Sequence, residues 1–216
     1  MSKVTRLRSV QFKKTDVTPI KDRLYRTVRE AVSALEPSTP LYVMAPDVIE
    51  QKAKQFNAAF PGKALFAVKT NPHPVVLKSV AKAGVTGFDV ASIQEIRLVR
   101  KFLPKAELFF MHPIKAPEAI YEAYHRFGVR QFVVDSEDEL YKVLRETDLA
   151  QDLKLHVRLA LPKNNAAFID FSSKFGAPTR EAIELLKKCR PVAESLGISF
   201  HVGTQTTNAE AYSNAI

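Results

Sequence analysis

The chain has 216 residues and a net charge of +9, because 32 lysines and arginines face 23 aspartates and glutamates. Hydrophobic residues make up 46% and charged residues 25%, which is typical of a folded globular protein and excludes a disordered chain. No apolar run approaches the roughly 18 residues of a membrane span, and no apolar stretch follows the first basic residues, as a secretory signal requires. A single cysteine cannot form an internal disulfide, which is typical of a reducing compartment. We expect a cytoplasmic globular protein with no membrane partner.

The positive charge is spread along the chain, and its only local excess is mild and lies at the N-terminus. Charge distributed in this way is typical of a solvated surface, and no helix-turn-helix, zinc-finger or ribonucleoprotein motif accompanies it. We therefore predict no nucleic-acid partner.

Residues 1–44 are interpreted as an N-terminal extension with one helix and one strand. Thr18-Pro19 predicts the start of the helix, apolar residues then repeat at helical spacing, and Pro37 ends it. Residues 40–44 (PLYVM) predict a short strand.

Residues 45–216 show a regular alternation of helices and strands. A helix begins at Pro46 and ends before Pro61-Gly62. Six apolar, strand-like runs follow, centred near Leu65, Gly87, Leu108, Phe132, Leu155 and Ser199. Helical patterns alternate with them over residues 73–83, 92–103, 116–127, 136–147 and 179–196.

Strand–helix units of this length require parallel strands with right-handed crossovers. An unbroken series of them favours a (β/α) barrel of the TIM type over an open sheet. A closed barrel needs eight strands, and the pattern supplies six. We therefore interpret residues 45–216 as a partial (β/α)8 barrel that stops after about six strands.

Two of the predicted helices begin at a serine that is followed three residues later by a glutamate. The pairs are Ser92 with Glu95 and Ser136 with Glu139. This is the spacing of a capping box, in which both side chains satisfy free N–H groups at the start of a helix.

Lys69 is the first candidate for chemistry. Within the strand-like run, Leu65, Ala67 and Lys69 share one face. Lys69 thus lies at the carboxyl end of the first barrel strand, where such barrels carry their active sites. Apolar neighbours there lower the cost of a neutral, nucleophilic amine. A solvated surface lysine is the alternative interpretation of this residue taken alone.

Five ordered segments decide between these interpretations. They are FAVKTN (66–71), GFDVASIQE (87–95), VDSEDEL (134–140), SKFG (173–176) and HVGTQ (201–205). Residues 40–216 as a whole resemble the fold-type III, pyridoxal-phosphate-dependent decarboxylases of basic amino acids, and among these the bacterial ornithine/lysine decarboxylases. The resemblance implies an alanine racemase-like barrel and pyridoxal 5'-phosphate as the cofactor.

The resemblance also implies an activity. It is the decarboxylation of a basic L-amino acid, ornithine in the first place and lysine as the other choice, to a diamine for polyamine biosynthesis. The family further carries a glycine-rich phosphate loop and a C-terminal β-domain, which we do not find in these 216 residues. The resemblance also implies that the full-length protein is a homodimer. Because the loop and the domain are not found, we expect the 216-residue chain by itself to be inactive.

Four site residues follow from the resemblance in the first half of the barrel and its fifth strand. Lys69 matches the catalytic lysine that bonds to the cofactor aldehyde. Asp89 and Glu95 match polar residues that bind beside the cofactor, and Glu95 is at the same time the predicted capping partner of Ser92. Arg158 matches an arginine near the cofactor ring, and an unpaired arginine inside a barrel is otherwise costly.

Two more cofactor-binding residues are implied after the sixth strand. His201 matches the catalytic histidine that packs on the face of the cofactor ring, with a purely structural histidine as the alternative. Thr204 stands where the family commonly has a serine that contacts the phosphate, and it keeps the hydroxyl.

Cys189 is interpreted as a small, buried hydrophobic residue. It lies on the apolar stripe of the helix over 179–196, together with Ala182, Leu186, Ala193 and Leu196. The other histidines lack metal-ligand spacing, so we predict no metal site.

Two other functions stay open. A fold-type III racemase shares a barrel lysine, but its usual surroundings lack the GFDVAS and HVG motifs together. A non-catalytic, decarboxylase-like binding partner of the antizyme-inhibitor type has no physical need for Lys69, Asp89, Arg158 and His201. Visible absorbance from a cofactor bound to Lys69 distinguishes a decarboxylase from such a binding module.

Overall fold

The structure is a computed structural model that describes residues 25–162, 168 and 174–216. These residues divide into two compact units, one that ends at Met44 and one that begins at Ala45. Among the described helices, none is long and apolar enough to cross a membrane.

The first unit contains helix α1 (Val28–Leu35). The side-chain oxygen of Thr27 caps this helix by accepting a hydrogen bond from the N–H of Glu30 at 3.1 Å. The predicted helix start at Thr18-Pro19 lies outside the described residues, but the predicted unbroken helix up to Pro37 is wrong, because residues 25–27 are not helical and Thr27 caps a new helix start.

The strand predicted over residues 40–44 is wrong. A strand is stable when a neighbouring strand takes its backbone hydrogen bonds and one of its faces is buried. None of the described strands pairs with this segment, Tyr42 is 94% exposed, and Pro40 has no N–H to donate. The segment is therefore irregular.

A six-stranded parallel sheet forms the centre of the second unit. Its strands are β1 (Leu65–Ala67), β2 (Gly87–Val90), β3 (Glu107–Phe110), β4 (Gln131–Val134), β5 (Lys154–Arg158) and β6 (Ser195–Ser199). Each strand pairs with the next one in the sequence, so the sheet order is β1-β2-β3-β4-β5-β6. The predicted α/β class with six parallel strands is confirmed.

Helices precede and follow the strands in the predicted alternation. They are α2 (Pro46–Ala59), α3 (Pro74–Lys82), α4 (Ile93–Phe102), α5 (Pro117–His125), α6 (Glu137–Glu146), α7 (Thr179–Cys189) and α8 (Glu210–Ser213). Three of them, α2, α3 and α5, begin with proline, which suits the first helical position because the N–H there has no partner within the helix.

The helix predicted over 179–196 is too long, since α7 ends at Cys189. Pro191 cannot donate a helical hydrogen bond, and its ring clashes with the preceding turn. The chain therefore tightens into a 3-10 turn over Arg190–Val192.

The early end of α7 moves the last strand forward. β6 begins at Ser195, and Ser199, which was predicted as its centre, is its last residue. Ala193 and Leu196 consequently lie outside the helix. Cys189 is fully buried on α7 as predicted, and burial raises the pKa of its thiol to about 11.

The two predicted capping boxes form only in part. The hydroxyl of Ser92 accepts the N–H of Glu95, and the hydroxyl of Ser136 accepts the N–H of Glu139, both at 3.3 Å. The two carboxylates bond elsewhere: Oε2 of Glu95 accepts the N–H of Ala91 at 2.9 Å, and Glu139 pairs with a buried lysine. Glu95 therefore bonds the chain directly before its own helix, and Glu139 bonds a lysine of another loop.

The two faces of the sheet differ in chemistry. Successive side chains of a strand point to opposite faces. One face packs against the helices, and its members share a burial of 98% or more: Phe88, Val90, Leu108, Phe110, Phe132, Val134, Leu155 and Val157. The other face carries polar side chains among its apolar ones, and these include Asp89, Glu107, Gln131, His156 and Arg158. The core thus lies between sheet and helices, and the polar face is left for a site.

Candidate active site

A cleft of about 150 Å³ opens where the strands of the polar face end. Carboxyl ends of parallel strands meet at one edge of a sheet, which is where (β/α) folds place their active sites. Short connections that follow four of the strands, and the segment before α7, supply its walls. The lining residues are Lys69, Asp89, Ala91, Met111, His112, Pro113, Arg158, Phe175 and His201.

Lys69 occupies a 3-10 turn (Val68–Thr70) directly after β1. Val68 is fully buried, and the Thr70 hydroxyl donates to the carbonyl of Ala67 at 2.7 Å. These two anchors fix the turn while the Lys69 side chain reaches the cleft. Within the described part of the chain, its Nζ has no hydrogen bond and no ion pair. The site therefore contains a primary amine that no carboxylate holds.

Asp89 lies on β2, and its carboxylate faces the cleft. Partial burial raises the pKa of this carboxyl group, the charge of Glu95 adds to the rise, and the cations Lys69 and Arg158 oppose it. Glu95 itself does not line the cleft, because its carboxylate accepts the N–H of Ala91, the residue before the Ser92 cap of α4. Asp89 thus lies in the cleft itself, whereas Glu95 supports a residue of its wall.

Arg158 is the last residue of β5, and its guanidinium carbon lies 5.2 Å from the centre of the Phe175 ring. Burial lowers the pKa of Arg158, and the charges of Asp135 and Asp89 oppose this shift. The guanidinium thus lies over an aromatic ring, and two acids act on it through their charge at the carboxyl end of β5.

The segment that carries Phe175 is fixed by its neighbour, Gly176. The N–H of Gly176 donates to Oδ2 of Asp135 at 2.9 Å. Its φ of +97° is in the left-handed region that favours glycine, and a Cβ atom there would lie 2.5 Å from the backbone nitrogen of Ala160. No other residue fits this position without a shift of the backbone. Ser173 of the same predicted motif lies outside the described residues.

His201 follows β6 and lines the cleft. Its Nδ1 accepts the N–H of Gly203 at 2.9 Å, so the neutral ring carries its proton on Nε2. Partial burial and the charges of Arg158 and Lys69 lower the pKa of His201, which favours this neutral form. Thr204 does not line the cleft in the described residues; its carbonyl accepts the N–H of Phe168 at 2.9 Å.

His112 is a site residue that the sequence motifs did not single out. It follows β3, its Nδ1 accepts the N–H of Ile114 at 3.1 Å, and its ring lies edge-on to Phe175 with centroids 5.7 Å apart. Its position directly after a strand was the signal that could have found it. Asp135 was quoted only as part of a motif, and its bond to Gly176 joins residues 41 positions apart. No cluster of three or more metal-ligating side chains occurs among the residues described.

Fold and site together define a class: a domain of the (β/α)-barrel type whose site is centred on a lysine at the end of β1. The chain belongs to the family described as pyridoxal-dependent decarboxylase, pyridoxal binding domain, whose model matches residues 47–216. The family predicted from the five motifs is therefore confirmed, and pyridoxal is confirmed as the cofactor of that family.

Curated relatives agree with this family. The chain is 33% identical over 181 residues to the lysine/ornithine decarboxylase of Selenomonas ruminantium, covering 82% of this chain and 44% of the relative. It is 32% identical over 196 residues to antizyme inhibitor 2 of Xenopus laevis, covering 89% of this chain and 42% of that protein. The chain thus spans less than half the length of these two relatives.

Solved structures share the fold. An arginine decarboxylase of Paramecium bursaria Chlorella virus superposes with a TM-score of 0.78 at 31% identity, covering 87% of this chain and 51% of the other. A variant of SrLDC in complex with PLP superposes with a TM-score of 0.76 at 30% identity, covering 89% of this chain and 50% of the other.

Proposed function

We propose that this chain binds pyridoxal 5'-phosphate through Lys69 and serves the decarboxylation of a basic L-amino acid to a diamine. The observation that carries the proposal is the amine of Lys69, which has no ion pair in the described residues and shares its cleft with Asp89, Arg158 and His201. Ornithine is the first expected substrate and lysine the second, in line with the relatives' names.

The side chains of the cleft fit this cofactor. An aldehyde needs a primary amine, which Lys69 supplies. A planar aromatic ring needs flat partners, and the cleft has three, His112, Phe175 and His201. An anionic phosphate needs positive potential, which Arg158 provides. Pyridoxal phosphate, when bound, supplies the aldehyde and a ring that takes up the electrons left as carbon dioxide departs.

The roles of the chain's own residues follow from their contacts. Lys69 is proposed as the catalytic amine because its Nζ lines the cleft and forms no ion pair with a described residue. Arg158, held by Phe175, is proposed to stay charged and oriented beside the cofactor ring. His201 is proposed as the second catalytic residue: it presents a neutral ring with its proton on Nε2. Met111 and Phe175 add apolar surface to the cleft.

Three further residues are proposed to bind the cofactor, either by direct contact or through a neighbouring group. Asp89 is proposed to contact the cofactor itself, since it lines the cleft. Glu95 is proposed to act through the N–H of Ala91, to which its carboxylate is bonded. Thr204 is proposed as a phosphate contact on the family's motif alone.

The test is a titration of the chain with pyridoxal phosphate, followed by absorbance in the visible range. We expect a visible band in the unaltered chain and in the Lys78→Ala control, whose lysine lies on α3 with Nζ over the Phe102 ring, and no band in Lys69→Ala. Diamine formation from ornithine and lysine is measured in parallel, and we expect little or none from the 216 residues alone. The same band in Lys69→Ala would refute the assignment.

A second candidate function rests on the similarity to antizyme inhibitor 2. A protein that only binds a decarboxylase or its regulator needs the outer surface and not the cleft. If the chain gives no visible band with pyridoxal phosphate yet forms a stable complex with a decarboxylase subunit, the binding function replaces the catalytic one. Racemisation of L-ornithine without diamine would instead favour the racemase alternative.

A homodimer and a cytoplasmic location remain predictions for this protein. The homodimer is tested by sedimentation, and the location by imaging of the tagged protein in its cell of origin. We also predict that the chain binds no nucleic acid, since its charge is spread rather than gathered on a recognised motif.

A further inference from the structure

Lys115 is a charged side chain that lies wholly inside the protein. It follows the cleft residues His112 and Pro113 in the loop after β3, yet its own side chain is 0% exposed and lines no part of the cleft. Lysine is among the residues that are least often fully buried, and then it is paired. A fully buried lysine next to a candidate active site therefore needs a physical explanation.

The ammonium of Lys115 is bonded on all sides. It donates to three carbonyl oxygens, those of His112 (3.1 Å), Pro113 (3.3 Å) and Val133 (2.6 Å). It also forms a salt bridge of 2.8 Å with Oε1 of Glu139, which is itself 4% exposed. One side chain thus ties the loop after β3 to strand β4 and to helix α6.

Glu139 completes the arrangement from the other side. Its Oε1 also accepts the backbone N–H of Lys115 at 3.2 Å. Its Oε2 is paired with Lys142 at 2.6 Å, a lysine one turn further along α6 that keeps part of its surface in water. Glu139 therefore binds both the backbone N–H and the side-chain ammonium of Lys115. Lys142 forms an ion pair with the second carboxylate oxygen of Glu139.

Such a buried pair is poorly explained by stability alone. Removing two charges from water costs several kcal/mol per ion, and apolar residues of similar volume often serve stability as well or better. What an apolar side chain cannot do is hold three carbonyl groups in one arrangement. Two of the carbonyl groups belong to His112 and Pro113, whose side chains form part of the cleft wall. The bonds of Lys115 therefore fix two residues of the cleft wall to the buried strand β4.

We propose that Lys115 is a positioning residue of the site: its ammonium holds the 111–115 loop in the shape that keeps His112 and Pro113 in the cleft wall. The consequence for His112 is direct, because its Nδ1 depends on the N–H of Ile114 within the same loop. Only the identity of what the cleft binds rests on the proposed function.

The test compares two variants of the same cluster in the unloaded chain. Lys115→Met with Glu139→Gln removes both buried charges at nearly constant volume and leaves an amide oxygen for the N–H of residue 115. Lys142→Met removes the outer partner of Glu139 and is the matched control. Hydrogen exchange of the Ile114 amide is followed relative to the amide of Leu155 on β5, so that a general loss of stability cancels. We expect exchange at Ile114 at least tenfold faster in the double variant and within twofold of the unaltered chain in the control.

The dissociation constant for pyridoxal phosphate is the second measurement. We expect it to rise about tenfold in the double variant and to stay unchanged in Lys142→Met. If the double variant does not fold, Glu139→Gln alone decides, with about threefold faster exchange at Ile114 expected. Unchanged relative exchange at Ile114 in the folded variant would overturn the inference. If the unaltered chain does not bind pyridoxal phosphate, the proposed function fails, and the exchange measurement still decides the role of Lys115.

Discussion

The two faces of the sheet show how one set of strands serves two purposes. The helix-facing side places Phe88 in register with Leu108 and Phe132 in register with Leu155, and all four are at most 2% exposed. The opposite face carries partly exposed groups such as Asp89 and Arg158 at the ends of the same strands. The buried face therefore stabilises the fold. The polar face lies on the same strands, so the packed core keeps its charged side chains in fixed positions. Substitutions on each face separate the two roles.

Phe132→Ala is expected to have the largest effect on stability. Truncation of a fully buried aromatic side chain costs about 3–5 kcal/mol, because it loses burial and leaves a cavity. Gln131→Ala, the adjacent residue on the other face, removes hydrogen bonds to His156 and Glu107 and is expected to cost about 1 kcal/mol. Urea unfolding of both variants measures the difference. An equal loss in free energy of unfolding for the two variants would contradict the view that the helix-facing side provides most of the stability.

Gly176→Ala is expected to cost about 2–3 kcal/mol, since the new Cβ meets the backbone of Ala160 in addition to an unfavourable φ. Gly128→Ala is the matched control: its φ of +65° is also left-handed, but nothing lies within 4 Å of the added Cβ. We expect this substitution to lower the free energy of unfolding by about 1 kcal/mol. Urea unfolding of both variants gives the loss in free energy of unfolding. An equal loss in the Gly128 and Gly176 variants would show that the left-handed φ alone explains both.

His201→Ala and Arg158→Ala test the polar face. Each is expected to weaken pyridoxal phosphate binding about tenfold, or about 1.4 kcal/mol, with little change in melting temperature because both residues are partly exposed at strand ends. Titration calorimetry and thermal melts give the two quantities. A His201→Ala chain that binds the cofactor normally but melts far earlier would assign His201 a structural role instead.

Asp89→Asn is expected to have a small effect on stability, and it is expected to stabilise the protein. Burial raises the pKa of Asp89 above its unfolded value, so its ionisation destabilises the fold as pH rises through the folded pKa. The asparagine variant should therefore melt about 1–3 °C higher at pH 7, and the gain should vanish near pH 3, below the unfolded pKa. At the same time it should bind pyridoxal phosphate more weakly. A variant that melts lower at pH 7 would show that the carboxylate stabilises the unloaded protein.

Local patterns predicted most of the fold. Hydrophobic periodicity located six strands and most helices, because each pattern extends over one element. It failed where one residue or one neighbouring strand decides the structure. Pro191 ended α7 seven residues before the predicted boundary, and none of the described strands pairs with residues 40–44. The start of the first predicted helix, at Thr18-Pro19, lies outside the described residues.

The site was predicted in part for the same reason. Lys69 and His201 stand at strand ends within recognisable motifs, and the structure brings both to one cleft with Asp89 and Arg158. Glu139 was interpreted as a capping residue because its partner in that role is three positions away, whereas its salt bridge to Lys115 spans 24 positions. Contacts of that length leave no local pattern in a single sequence.

The proposed bond between the Lys69 amine and the cofactor can be trapped chemically. The chain is incubated with pyridoxal phosphate, reduced with borohydride, digested and mapped by mass spectrometry. We expect a pyridoxyl group on the peptide that contains Lys69 and on no other lysine. A label on Lys63, which is paired with Glu107, or on Lys78 would contradict it.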